Sequence, residues 1–462
     1  MRSRSAGQNI PPSDRFHAYP GPRSGRLFTG QVMVRKNPFF RILGAVVFFF
    51  EGRNGGVIKS VADGRREQRF WLATQYFSWR KFWNLIRVEV QVRFVRRLVW
   101  GSPYEWEIDT TNICQLKCPL CHTGKGTIHR DQGVMDFDLF TSVVDQIKHS
   151  CMWLTLYSWG EPFLNLRIHE YIEYAHKQKI ATIISSNLNK PLTPEMAEQV
   201  IRSGLDVLIV SLDGVTQDVY EIYRVTGHLD RVLDNLRLLD QKKRELGSST
   251  PHIEWQFIVM QQNEHQLDEA RELADELGVN ALVFKKVDFP HGENDLDLAE
   301  NWLPRQHSEY LREDPFFKPY AEDGRLCWRL WRSAVVNWDG GFAPCCYLTD
   351  KTQDFGDLNQ SSVKEIWNND KYKAARALYQ KNFVPGEWIG CLDCSVYQGS
   401  KAARRRGSVD LQPEPVVLQI NGAKSVNGDR ASPENGLSGP EVVTVSQNGR
   451  GEGPVAKTEE PV

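Results

Sequence analysis

The chain has 462 residues, of which 41% are apolar, so it can bury a full core, and its length predicts two or three domains. Its 57 lysines and arginines nearly balance 58 aspartates and glutamates, so no overall basic charge indicates a nucleic-acid partner. Nine cysteines are an odd number, and most lie in two clusters about two hundred residues apart, which suits metal ligation better than disulfides.

Residues 1–103 form a basic, aromatic-rich extension. Its apolar run at 39–50 is too short to span a bilayer and lacks the cleavage site of a signal peptide, so we expect a cytoplasmic protein. Within 71–100, apolar residues recur at three- and four-residue steps, which predicts an amphipathic helix flanked by arginines. The predicted apolar face consists of Leu72, Tyr76, Trp79, Trp83, Ile86 and Val90.

Two interpretations of this helix stay open. It packs its apolar face on the main domain, or it contacts a membrane face as a peripheral anchor. The second interpretation rests on the tryptophans and the basic polar face, which suit anionic lipid headgroups.

From residue 104 to about 300, β-rich runs alternate with helical ones. Strands are predicted at 105–109, 153–158, 180–185, 207–212, 253–260 and 281–287. Helices are predicted at 136–149, 167–178, 194–203, 229–246 and 264–277. This alternation predicts an α/β fold with a parallel sheet, either an open doubly wound sheet or a barrel, and it places the chemistry at the carboxyl ends of the strands.

The first cysteine cluster follows directly on the first predicted strand. Cys114, Cys118 and Cys121 form C-x3-C-x2-C, whereas the run from Cys118 to His122 also spells the C-x2-C-H motif that attaches a c-type haem. Haem attachment would require export, which the N-terminus does not indicate. Three cysteines need a fourth ligand for tetrahedral zinc, and His122 is poorly placed to supply it. A [4Fe–4S] cluster can be held at three corners, which leaves one iron open.

With these motifs the sequence resembles the radical S-adenosylmethionine (SAM) superfamily, whose signature is C-x3-C-x2-C after the first strand of a partial (β/α)6 barrel. The resemblance implies that Cys114, Cys118 and Cys121 bind a [4Fe–4S] cluster and that SAM chelates its open iron. It implies reductive cleavage of SAM to a 5′-deoxyadenosyl radical, which abstracts hydrogen from a substrate. A low-potential electron donor such as flavodoxin or ferredoxin is implied too. Leu120 departs from the family, which usually has an aromatic residue there.

Further SAM contacts are implied after the next three strands. They are Gly160, Glu161, Ser186, Asn187, Ser211, Asp213 and Arg224. Gly160 and Glu161 correspond to the family's Gly-Gly-Glu turn, which receives the methionine amino group, and Trp159 replaces the first glycine. Arg224 is a candidate partner for the SAM or substrate carboxylate, with a surface arginine as the alternative. No catalytic side chain is assigned.

The second cysteine cluster resembles the shortened SPASM domain called twitch, which follows many radical SAM barrels and holds one auxiliary [4Fe–4S] cluster. The implied ligands are Cys327, Cys345, Cys391 and Cys394, with a helix at 362–380 before the last two. The spacing from Gly340 favours Cys345 over the adjacent Cys346. A structural zinc with four thiolates is the alternative.

Four cysteine ligands would leave no open iron, so we expect the auxiliary cluster to relay electrons. The spacing resembles that of a radical SAM dehydrogenase, which implies an oxidoreductase or epimerase acting on a small molecule, sugar or lipid headgroup. In an epimerase, Cys346 or Cys151 would donate hydrogen. A peptide-modifying maturase is a second hypothesis, although no peptide-binding module is evident before residue 104. A non-catalytic iron-sulfur or zinc protein is a third.

Four regions are therefore predicted. They are an extension at 1–103, a radical SAM core at 104–300, a SPASM/twitch domain at 301–406 and a tail at 407–462. The tail contains no Phe, Trp or Tyr, and its composition predicts disorder.

Overall fold

The computed structural model describes residues 72, 74–289, 296–311, 326–380, 383, 385–394, 397 and 398. The tail predicted at 407–462 and the extension before residue 72 lie outside the described residues. The strands are β1 (Glu105–Ile108), β2 (Trp153–Thr155), β3 (Ala181–Ser186), β4 (Val207–Ser211), β5 (His252–Val259), β6 (Ala281–Lys286), β7 (Ser333–Val336), β8 (Gly341–Ala343) and β9 (Gly356–Asp357). The helices are α1 (Trp79–Arg93), α2 (His122–Lys125), α3 (Phe137–Ile147), α4 (Ile168–Lys177), α5 (Pro194–Arg202), α6 (Gln217–Tyr223), α7 (Leu229–Glu245), α8 (Leu267–Glu276), α9 (Leu296–Trp302), α10 (Arg329–Arg332), α11 (Val363–Trp367) and α12 (Asp370–Ala377).

One sheet runs through the described part of the chain in the order β6-β5-β4-β3-β2-β1-β7-β8-β9. Strands β1 to β6 are parallel neighbours, as in the partial barrel of radical SAM enzymes, which confirms the predicted α/β fold. On the other side of β1, β7 pairs in parallel, with Glu107 opposite Val335. Strands β8 and β9 then continue the sheet antiparallel. The C-terminal cysteine region thus shares a backbone hydrogen-bond ladder with the core.

The six predicted core strands and the five predicted helices are all present. Fully buried residues such as Leu208, Val210 and Trp255 alternate along the strands with residues on the opposite face. Helix α5 begins where the Thr193 side chain accepts a hydrogen bond from the Met196 backbone N–H. Apolar burial therefore fixes the strands, and polar caps fix the helix ends. No helix of the described residues is long and apolar enough to cross a membrane.

The region predicted as one helix at 362–380 forms two. Ser362 starts α11 with a capping box, in which its side chain and that of Glu365 exchange bonds with the backbone. Asn369 then accepts a hydrogen bond from the Tyr372 backbone N–H and starts α12. This second N-cap interrupts the first helix, because an N-cap residue has extended backbone. Helix α6 was not predicted.

Helix α1 packs on the core through the face opposite to the one predicted. Its buried residues are Lys81, Asn84, Leu85, Val88, Glu89, Gln91 and Val92. Trp79 and Trp83, from the predicted apolar face, are 59% and 55% exposed. The buried polar groups are paired: the Lys81 ammonium donates to the Lys179 carbonyl at 2.6 Å, and Glu89 pairs with Arg332 at 2.5 Å. Both faces carry apolar residues, so periodicity alone could not identify the packed one.

Candidate functional site

The first three cysteines lie in the loop between β1 and α2. Cys118 is buried, Cys114 and Cys121 are half-buried, and all three are free thiols. The segment that follows α6 holds this loop. The Lys117 backbone N–H donates to the Val225 carbonyl, and the Thr226 hydroxyl donates to the Gln115 carbonyl, both at 3.1 Å.

Two glycines allow the loop to pack closely. A Cβ on Gly124 would lie 2.4 Å from the Cys118 carbonyl oxygen, and a Cβ on Gly160 would lie 1.7 Å from the Thr111 carbonyl oxygen. Both distances are far inside van der Waals contact. Only glycine therefore lets the turn after β2 approach the start of the cysteine loop.

Glu161 joins the turns after β2 and β3. Its carboxylate accepts hydrogen bonds from the Ser186 hydroxyl and the Asn187 backbone N–H, both at 2.7 Å, and from the Phe163 backbone N–H at 3.1 Å. Burial raises the pKa of Glu161, and these hydrogen bonds oppose the shift. The arrangement positions a carboxylate beside the loop.

Asn187 connects this carboxylate region to the first cysteine. Its side-chain N–H group lies 3.6 Å from the Cys114 sulfur, and its amide oxygen accepts a 2.9 Å hydrogen bond from Gln115. Burial, assisted by the charge of Glu161, raises the pKa of the Cys114 thiol to about 12. Metal binding here would therefore release a proton.

Arg224 lies beside the second cysteine and is not a surface residue. Its Nε and Nη2 atoms both lie 2.6 Å from the Asp213 carboxylate, and its Nη1 atom lies 3.8 Å from the Cys118 sulfur. Asp213 is fully buried and also accepts from the Ile258 backbone N–H at 2.6 Å. Ser211, at the end of β4, has its hydroxyl 3.3 Å from that of Ser185. The structure thus brings Glu161, Asn187 and Arg224 close to the cysteine loop, while the roles of all these residues toward SAM stay predictions.

The four auxiliary cysteines line one cavity of about 180 Å³. Cys327 precedes the β7/β8 hairpin and Cys345 follows it, as the twitch resemblance implies. Cys391 and Cys394, which follow α12, line the same cavity. Burial raises the pKa of Cys391, and the charges of the other three cysteines add to the shift.

Cys346 is not among the residues that line this cavity. Burial raises the pKa of its thiol to about 12, with the charge of Glu107 contributing and Arg329 opposing. The cavity lining supports Cys345 as the auxiliary ligand, as the glycine spacing predicts. Cys346 lies on the side of β1 instead.

Trp159 connects the two cysteine regions. Sequence analysis did not predict this connection. Its indole N–H donates to the Cys346 carbonyl at 3.0 Å, and its own carbonyl accepts from the Thr123 hydroxyl at 2.6 Å. Its ring also meets that of His122 edge-on, with centroids 5.0 Å apart. A single side chain therefore contacts the end of one cysteine loop and the backbone of the other.

Two acidic side chains on β1 and just after it were also missed. The Glu107 carboxylate accepts a 2.5 Å hydrogen bond from the Ser158 hydroxyl, and burial raises its pKa. Asp109 accepts from the Ser158 backbone N–H at 3.2 Å. Burial and the charge of Glu107 raise the pKa of Asp109 to about 8. The sequence does carry a signal for these two residues, because acidic residues alternate with apolar ones in the predicted strand EWEID. Carboxylates are rarely buried without a partner, so acids in a core strand indicate a functional role.

The thiol sets fit iron-sulfur clusters. No His, Cys, Asp and Glu group within the described ranges has the arrangement that holds a single metal ion. A cubane cluster binds each thiolate through a different iron, so its ligands need not converge on one point. The first set offers three thiols from one loop, and the second offers four around a cavity.

Comparison with known proteins identifies both regions. The model of the radical SAM superfamily matches residues 108–274. The model of the SPASM iron-sulfur cluster-binding domain matches residues 327–395. These matches support the iron-sulfur interpretation of both cysteine sets over haem and zinc.

The chain is similar to characterised relatives over most of their length. It is 25% identical over 318 residues to the tungsten-containing aldehyde ferredoxin oxidoreductase cofactor-modifying protein of Pyrococcus furiosus, covering 63% of this chain and 86% of that protein. It is 24% identical over 355 residues to the mycofactocin maturase MftC of Mycobacterium tuberculosis, covering 71% and 85%. A solved structure of Streptococcus suis SuiB bound to S-adenosylmethionine aligns at 16% identity and a TM-score of 0.49, covering 78% and 82%. The cysteine motif, the sheet and both family matches agree: the chain belongs to the radical SAM superfamily and carries a C-terminal SPASM iron-sulfur domain.

Proposed function

We propose that this protein reductively cleaves SAM and abstracts a hydrogen atom from a substrate held between its two cysteine sites, as an oxidoreductase. The observation that carries this proposal is the contact of Trp159 with both regions. An auxiliary site in contact with the SAM site is positioned to exchange electrons with a substrate radical formed between them.

The residues present can hold both groups. Cys114, Cys118 and Cys121 would bind the cluster that binds SAM, and Glu161 would receive the methionine amino group. When bound, SAM and its cluster supply a 5′-deoxyadenosyl radical, and the auxiliary cluster supplies an electron acceptor. Arg224 carries positive charge beside Cys118 and is oriented by Asp213.

Glu107 is our candidate for proton transfer. It lies at the carboxyl end of β1, half-buried, with Ser158, Cys346 and Arg329 around it. Oxidation of a hydroxyl-bearing carbon requires loss of the hydroxyl proton as well as a hydrogen atom. A carboxylate with a raised pKa accepts such a proton more readily than an ordinary one. In the epimerase alternative, the protonated Cys346 thiol would donate a hydrogen atom instead.

Peptide modification is the second candidate function. The relative MftC is named a maturase, and the similarity covers 85% of its length. The two candidate functions differ in the substrate that the protein would modify. Incubation with candidate polyols and sugars on one side and candidate precursor peptides on the other, with mass detection of a two-hydrogen loss, separates the two.

The first experiment is anaerobic reconstitution with iron and sulfide, followed by SAM and dithionite. The parent should bind about eight irons and form 5′-deoxyadenosine, and the Cys114→Ala/Cys118→Ala/Cys121→Ala variant should bind about four and form none. Tightly bound zinc or a haem signal without SAM cleavage would refute the proposal. A Cys346→Ala variant with full turnover would remove the epimerase version that uses this thiol.

A further inference from the structure

Helix α1 and the turn that follows it present an unusual surface. The exposed apolar residues of this segment are Trp79, Trp83, Val90, Phe94, Leu98 and Trp100. Its exposed cations are Arg80, Arg87, Arg93, Arg96 and Arg97. We call these residues together the aromatic-arginine face. The apolar and cationic residues interleave along the sequence of this segment.

The face lies opposite the side of α1 that packs on the core. Trp79, Trp83, Val90 and Phe94 follow one another at steps of four, seven and four residues, which places them in one stripe along the helix. Leu85, Val88 and Val92, which fall on the other side of the helix, are buried. The stripe therefore lies outside the buried core of the described residues.

Charge on this face has one sign. The one acidic residue between positions 79 and 100 is Glu89, and it is buried in a pair with Arg332 at 2.5 Å. The exposed arginines consequently have no acidic neighbour from their own segment. Arg80 also lies 3.4 Å from the His149 ring nitrogen, and Arg97 lies over the Phe383 ring. All five arginines are nevertheless exposed, so their positive charge is accessible to a partner together with the aromatic rings.

The turn after α1 is held in place by the C-terminal region. The Trp331 indole N–H donates to the Arg96 carbonyl at 2.8 Å, and the Gln380 side-chain amide donates to the Val95 carbonyl at 3.0 Å. Val95 itself has a left-handed backbone with φ of 48°, which a β-branched residue rarely adopts. The outward direction of Phe94, Leu98 and Trp100 is thus built into the fold.

We propose that the aromatic-arginine face binds the surface of an anionic lipid bilayer. Arginines attract acidic headgroups, and tryptophan and phenylalanine insert at the boundary between headgroups and acyl chains. One-signed positive charge together with exposed aromatic rings is the combination that binds an anionic bilayer surface. This proposal does not depend on the proposed reaction.

Flotation of the reconstituted full chain with vesicles tests it. Vesicles of equal parts phosphatidylcholine and phosphatidylglycerol should carry the protein at low salt and release it at high salt, and phosphatidylcholine vesicles should not bind it. Arg87→Gln/Arg93→Gln/Arg96→Gln should weaken binding about a hundredfold, at roughly fivefold per arginine. Trp83→Ser/Phe94→Ser/Trp100→Ser should also weaken binding and should leave the remaining binding fully salt-sensitive.

Matched controls use exposed residues elsewhere on the core. Leu166→Ser/Ile222→Ser and Arg202→Gln/Arg237→Gln remove similar groups and should float like the parent. Unchanged iron content in every variant shows that folding is retained. Flotation unaffected by either triple variant overturns the proposal, as does a parent that does not float. Displacement from vesicles by a labelled RNA that the arginine variant no longer binds, or a parent dimer that the aromatic variant breaks, would assign the face to nucleic acid or to a second copy instead.

Discussion

The two cysteine sites are assembled in different ways. Cys114, Cys118 and Cys121 lie in one loop, which the segment 224–226 holds from the side. The auxiliary cysteines come from three separate stretches, before β7, after β8 and after α12, and meet only once those elements have packed. The first set is therefore a local feature of the chain, whereas the second depends on tertiary structure. Removing ligands from each should have different consequences.

Loss of auxiliary ligands should have the largest effect on stability. In Cys391→Ala/Cys394→Ala, the cross-link between distant segments is lost, and cross-links that close long loops stabilise most. We expect the Tm of the reconstituted protein to fall well below that of the parent. The matched Cys118→Ala/Cys121→Ala variant should lose SAM cleavage with a much smaller fall in Tm. Anaerobic calorimetry measures both Tm values. Equal falls in Tm for the two variants would contradict the view that only the second site depends on tertiary structure.

Arg130 offers the next largest effect, because it ties the segment after the first loop to the auxiliary hairpin. It is almost fully buried and pairs with Asp339 at 2.6 Å and with Asp354 at 2.7 Å. Arg130→Leu would leave Asp354 without its direct ion-pair partner, whereas Asp339 would keep Lys351 at 3.0 Å, so we expect a cost of about 3 kcal/mol in the free energy of unfolding. Denaturant unfolding measures this cost. The exposed pair of Arg202 supplies a control, since Arg202→Leu should cost under about 1 kcal/mol.

Arg224→Lys should act on the SAM site alone. Lysine cannot reproduce the two contacts of Arg224 with Asp213, and one lost charged hydrogen bond is worth about 1.5–3 kcal/mol. We expect SAM affinity to fall about tenfold or more. Auxiliary iron should be unchanged. Calorimetric titration with SAM measures the affinity, and iron analysis of the same sample measures the auxiliary iron. Loss of auxiliary iron would show that the two cysteine sites are not independent of each other.

The last prediction concerns pH. The pKa of Asp109 is raised by burial to about 8, so the folded protein holds this proton at pH values where the unfolded chain has released it. The stabilisation is full below the ordinary pKa of aspartate, and it is lost progressively as pH rises from about 4 to about 8. Asp109→Asn should flatten this dependence. Comparing the Tm of parent and variant between pH 6.5 and pH 9 tests it, and parallel curves would refute it.

Local patterns predicted much of this molecule. Strand and helix positions and the first cysteine motif depended on neighbouring residues or on short spacings. The choice of Cys345 over Cys346 also depends on a short spacing and stays a prediction. Local patterns did not identify the packed face of α1, because both sides of the helix carry large apolar residues. Leu85 and Val88 lie on one side, and Trp79 and Trp83 lie on the other. The contact of Trp159 with the Cys346 backbone joins residues far apart in sequence, and no pattern in one chain reports such a meeting. The break before α12 needed the capping geometry of Asn369.

The parallel pairing of β7 with β1 has a consequence for electron flow. Both cysteine regions start from adjacent strands whose spacing is set by backbone hydrogen bonds, with Ile108 opposite Val336. Their separation is thus a property of a β-ladder rather than of a flexible linker. If both sites hold clusters, as we propose, electron transfer between them would fall steeply with distance, and the ladder would keep that distance constant.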